Sequence, residues 1–131
     1  MFPHTITLFN VYKKEDKIYY HRTPINGVFF YKSNQVTEEG KGIDNASQYH
    51  CIIPLEELEK YVERKVFNNS VDKSNIFTFA PNDIVVFGKF NDINSVSDLQ
   101  KSTSDYFSIK IVNDNRYGND GLQSIEVTDW K

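Results

Sequence analysis

The 131 residues fall within the usual range of one domain, and two separate cores would be hard to build from them. Apolar side chains make up 39% of the chain and charged ones 25%, which excludes a disordered segment. The formal net charge of −3 argues against an electrostatic grip on nucleic acid, and the single Cys51 excludes an internal disulfide.

No apolar run approaches the ~18 residues that span a bilayer, so no membrane partner is expected. The first residues lack a charged-then-apolar secretion signal, which places the chain in the cytoplasm where it is made. Aromatic residues reach 15%, with ten Phe, eight Tyr and one Trp. Such side chains suit a pleated, half-buried surface, whereas Ala46 and Ala80 are the only two alanines in the chain. The bias favours strands.

Residues 5–12, TITLFNVY, alternate as a half-buried strand, and KKEDK (13–17) reads as a charged turn leading to a second strand, IYYHR (18–22). Pro24 and the Asn26-Gly27 pair punctuate the chain before a third strand, VFFY (28–31). The polar stretch 32–47, with Gly40 and Gly42, reads as a mobile loop. QYHCIIP (48–54) is a fourth strand.

Leu55, Leu58, Val62 and Val66 stand near helical spacing after Pro54, which predicts a helix over 54–66. After the loop 68–75 come strands at 76–79 and 84–90 around the turn APND (80–83). Ser97 caps a short helix at 98–102, and Asn82 tolerates positive φ. The strand 106–112, the turn 113–121 and the strand 122–130 complete the chain. The expected fold is mainly β: a single domain over 1–131, a small barrel or sandwich of about eight short strands with one or two short helices.

Chemical motifs are weak. His50 and Cys51 are neighbours on a strand and therefore point to opposite faces, so no thiol–imidazole pair is expected. His4, His21 and His50 lie on three elements without ligand spacing, and no metal or other cofactor is expected. DNRYGNDG lacks the ligand spacing of a calcium loop and reads as a turn. GKG (40–42) is no phosphate loop, and no hydrolase, zincin or nucleotide fingerprint occurs. The pairs Glu38–Glu39 and Glu56–Glu57 fall in a loop and on a solvent face. A non-enzymatic binding protein is the expected class.

Two stretches carry a family resemblance: DKSNIFTFAPNDIVVFGKF (72–90) and YFSIKIVNDNRYGNDGLQSIEVTDWK (106–131). With TITLFNVY and INGVFF, they resemble small proteins of Gram-positive phages and prophages, similar to head–tail connector or head-closure proteins. The resemblance implies a virion structural protein that assembles between neighbouring portal or adaptor and tail proteins. It implies a homo-oligomeric ring on assembly, a monomer when alone, and no sequence-specific nucleic acid. It also implies the host cytoplasm first and the virion afterwards.

Candidate protein contacts are Lys32, Glu38, Glu39 and Lys41 in the long loop, with Asn115, Arg116 and Tyr117 in the turn. Exposed tyrosines such as Tyr19, Tyr31 and Tyr117 would anchor the alternative, a phage-encoded inhibitor of a host protein. A small ligand-binding barrel is the second alternative.

Overall fold

In the computed structural model the alternating segments join one antiparallel sheet; residues 3–35, 46–103, 105–117 and 123–129 are described. The strands are β1 (His4–Lys14), β2 (Lys17–Gln35), β3 (Ala46–Pro54), β4 (Ile84–Phe87), β5 (Tyr106–Ser108), β6 (Ile111–Asp114) and β7 (Ser124–Thr128). Their order is β5-β4-β1-β2-β3-β7-β6. Two short helices, α1 (Arg64–Asn69) and α2 (Val96–Gln100), and one 3-10 turn at Leu55–Glu57 complete the described elements. The fold is mainly β, as expected.

The second and third expected strands are one. β2 pairs with β1 up to Val28 and with β3 from Phe29 onward. Pro24 sits opposite Thr7 without ending the strand, and the register shift beside it falls at Gly27. Gly27 has φ +71, so the residue that was read as punctuation instead forms the bulge where β2 changes partner. The turn at 13–17 tightens to Glu15 and Asp16, both at positive φ, with Lys14 directly opposite Lys17.

The two ends of the sheet order, β5 and β6, are separated in the chain only by Ile109 and Lys110. Ile109 donates its N–H to the Asp83 carbonyl at 2.8 Å, and Lys110 donates to the Thr128 carbonyl at 2.8 Å. Among the described residues no ladder pairs β5 with β6, so hydrogen bonds between these two strands do not close the sheet. The chain itself ties its edges. The predicted strand 106–112 is interrupted at this crossing.

Inside the curl, Ile6, Leu8, Val28, Phe30, Cys51, Ile53, Val85, Phe107, Ile125 and Val127 form one buried cluster. Burial pushes the Cys51 thiol pKa far up, and its side chain belongs to this core while neighbouring His50 does not. A second cluster of Phe9, Ile84, Val86, Ile93 and Leu99 lies on the other face of β1 and β4, beneath α2. Burying both faces explains why five consecutive β1 residues, Ile6 to Asn10, are buried. Thr7 secures the covering segment by donating to the Gly88 carbonyl and accepting from the Phe90 amide.

The helix expected at 54–66 does not form. Pro54 ends β3, and Tyr61 bridges to Phe77 while Val62 donates to the Phe77 carbonyl. Of the apolar stripe only Leu58 is buried; Leu55 and Val66 are about half exposed. Tertiary pairing at 60–62 overrides the periodicity, and helix begins only at Arg64. Residues 76–79 contribute that isolated bridge rather than a strand, leaving seven strands among the described residues.

Of the expected loop 32–47, Lys32–Gln35 instead continue β2 and Ala46 and Ser47 begin β3, while residues 36–45 lie outside the described residues. The helix near 98–102 occupies Val96–Gln100 instead, preceded by Ser95.

Gly27→Ala should lower the unfolding free energy by about 1–2 kcal/mol through left-handed backbone strain. The nearest atom to an added Cβ is the mobile Glu57 carboxylate at 3.2 Å, so Glu57→Ala in the same background should not restore it. Urea unfolding of the single and double variants checks this.

Candidate interaction surface

Asp83 closes the Ala80–Asp83 turn, in which Asn82 takes φ +79, and its side chain is fully buried. Its Oδ1 accepts the Val11 amide at 2.9 Å, and its Oδ2 accepts Asn10 Nδ2 at 2.8 Å and the Ala80 amide at 3.1 Å. Arg64 Nη1 lies 3.1 Å from both oxygens, and Nη2 donates to the Val11 carbonyl. Asn10 also donates to the Thr78 carbonyl and accepts the Thr78 amide at 3.2 Å. Burial raises the Asp83 pKa, against the lowering effect of the Val11 amide, Arg64 and Asn10. One carboxylate thus joins β1, β4, the 78–80 segment and α1.

With Arg64 anchored, α1 lies against the β1–β2 hairpin. Phe67 is fully buried, edge-on to Tyr12 at 5.9 Å and tilted against His21 at 5.6 Å. Tyr12 stacks on Tyr19, its partner across the hairpin, at 5.4 Å. Lys73 Nζ sits 5.0 Å from the Tyr12 ring centre and 5.3 Å from that of Phe67, and donates to the Ser70 carbonyl. His21 Nε2 lies 3.0 Å from the Ile76 carbonyl, which can only accept, so this nitrogen carries the proton. Burial lowers the His21 pKa; the Ile76 carbonyl opposes this and Lys73 adds to it.

Between hairpin and helix lies a cleft of about 530 Å³, lined by Tyr12, Lys13, Lys14, His21, Lys73 and the turn after α1. Its lining contains no carboxylate. Val71 in its lining is fully exposed, and Tyr19, on the Tyr12 face of the hairpin, is 40% exposed. Ile18, opposite Lys13 on the other hairpin face, and Val66 on α1 are also exposed, by 58% and 50%. A smaller cavity of about 360 Å³ runs along Arg22–Asn26 of β2, where Glu56, Glu57 and Glu59 are mixed with Arg22 and Lys60.

Of the contacts expected from sequence, Lys32 is not brought together with Asn115, Arg116 and Tyr117. Lys32 is exposed at the middle of the β2–β3 ladder, its Nζ 5.3 Å from the Tyr49 ring centre. Asn115, Arg116 and Tyr117 follow β6, where Asn115 donates to the Ser124 carbonyl opposite the far end of β3. Arg116 forms a fork with Asp114 at 2.8 and 2.7 Å and covers the Tyr61 ring at 4.8 Å. This pairing lowers the Asp114 pKa and raises that of Arg116. Tyr117 is 82% exposed, whereas Tyr31 stacks on His50 at 4.6 Å. Glu38, Glu39 and Lys41 lie outside the described residues.

Sequence reading missed Lys13, Lys14, Lys73 and Val71. The signal was present in KKEDK: period-two spacing puts Tyr12 and Lys14 on one hairpin face with Lys17 and Tyr19. Among the described residues no three His, Cys, Asp or Glu side chains gather as a metal site, and no helix is long and apolar enough to cross a membrane.

Two predictions arise from this geometry. Asp83→Asn or Arg64→Met should cost about 3–5 kcal/mol in urea unfolding, because each strands buried polar partners. His21 has a folded pKa below its unfolded value, so its contribution is complete above about pH 6.5 and is lost as pH falls toward the folded value. The loss of stability between about pH 7.5 and about pH 5 should therefore be smaller in His21→Gln than in the wild type.

Residues 1–128 match the family of unknown function DUF6751. No curated protein and no solved structure matches the chain. The chain belongs to the DUF6751 family.

Proposed function

We propose that this DUF6751 member is a non-enzymatic assembly protein of a phage or prophage virion, acting in the head–tail connector by protein–protein contact. The observation that carries the contact reading is the exposure of Val71 in a cation-lined cleft, with Tyr19 exposed on the hairpin face beside it and Ile18 and Val66 exposed on the hairpin and α1. Exposed apolar groups rimmed by charge are what a docking surface requires, and aromatic anchors such as Tyr19 are typical of its centre. The buried Asp83 network holds this surface rigid before a partner arrives, which reduces the ordering cost of binding.

The connector setting rests on the resemblance of residues 72–90 and 106–131 to head-closure proteins. In that setting the chain forms a ring between portal or adaptor and tail proteins, each copy presenting different surfaces to its two neighbours.

Deleting the coding sequence from an inducible prophage tests the reading. Particles should then lose packaged DNA or lack tails, and the protein should be found in several copies in wild-type particles. Tailed, DNA-filled particles made without the chain would overturn it.

A further inference from the structure

The cleft between the β1–β2 hairpin and α1 is specific in its demands. Lys13, Lys14 and Lys73 line it without a carboxylate, in a chain with more acidic than basic residues. Lys14 stands directly opposite Lys17, an arrangement of like charges that weakens a hairpin on its own. An anion placed between them relieves it. Val71, fully exposed in the lining, asks for apolar atoms on the same occupant.

A long polyanion fits badly. Glu15 and Asp16 form the hairpin tip and exposed Asp72 borders Lys73, so a continuing phosphate backbone meets carboxylates beyond the cleft. A short acidic segment with aliphatic residues fits.

The chain contains such a segment. Residues 36–45, VTEEGKGIDN, carry Glu38, Glu39 and Asp44 against one lysine, with Val36 and Ile43 as apolar groups. They connect Gln35, the end of β2, to Ala46, the start of β3. The cleft lies at the opposite end of β2, beside Lys17.

Even bent at a right angle where it changes partner, β2 separates these ends by about 40 Å, from its rise of about 3.3 Å per residue. Glu38 and Glu39 reach at most about 15 Å from Gln35 on an extended chain. The segment of one copy therefore cannot enter its own cleft.

We propose that residues 36–45 of one copy dock in the Lys13–Lys14–Lys73 cleft of a second copy. The contact is heterologous: each copy has one cleft and one segment, at opposite ends of β2, so repetition gives a ring or an open chain of copies. This deepens the assembly reading and rests on it.

Sedimentation of the full chain, with a labelled peptide of residues 33–47 as a second probe, tests the contact. The wild type should self-associate with a Kd on the order of 100 μM and dissociate at about 0.5 M salt. The peptide should bind full-length protein with similar salt sensitivity. Lys13→Glu with Lys14→Glu should weaken both by about tenfold or more, and so should Glu38→Lys with Glu39→Lys in the chain and peptide respectively.

The decisive arm mixes the two double variants, each folded by circular dichroism. Each retains one intact partner surface, and the two reversed surfaces are themselves of opposite charge, so the mixture should associate although neither variant does alone. A chain that stays monomeric, variants that associate like the wild type, a mixture that forms no dimer, or a thymidine 20-mer that outcompetes the peptide would each overturn the proposal. Loss of this contact with particles still dependent on the chain would leave the assembly reading standing.

Discussion

A single buried carboxylate holds together parts of the chain that the sheet alone does not join. Asp83 accepts from two backbone amides, Asn10 and Arg64, so that its charge is met on every side by donors. Removing an ion from water costs several kcal/mol, and only such complete hydrogen bonding offsets it. The return is geometric. Arg64 also grips the Val11 carbonyl, so α1 has one place to sit, and Phe67 fills the space beneath Tyr12 and His21.

The sheet supplies the frame for that node. β2 serves two sets of partners, with a glycine bulge where they change, and the Ile109–Lys110 crossing ties the outer strands. The inner cluster spans both halves of the sheet, while the second cluster covers the outside of β1 and β4. These layers leave the hairpin end projecting with lysines and apolar side chains exposed.

Alternation identified β1 and the 106–112 region, and apolar runs identified β3 and β4, although β1 and β4 turn out to be buried on both faces. Gly27 was visible as a special position, but its role was not: a turn and a bulge demand the same positive φ. The apolar stripe at 55–66 misled because helical spacing cannot reveal that Phe77, from a distant segment, captures residues 60–62.

Asp83 was noticed only as a turn residue, since nothing local shows that Asn10 and Arg64 converge on it. The cleft was equally hidden: Lys13 and Lys14 come from one segment, Lys73 from another, and α1 positions them. Lys32 and Arg116, by contrast, are engaged with Tyr49 and Asp114 at separate places on the sheet.

Native-state hydrogen exchange tests the central role of Asp83 most directly. If the carboxylate is a point of global structure, the Val11 and Ala80 amides that it accepts should exchange only through complete unfolding, with the same opening free energy as the Leu8 and Val85 amides. Exchange of Val11 and Ala80 through low-energy local opening, while Leu8 and Val85 stay protected, would contradict the account.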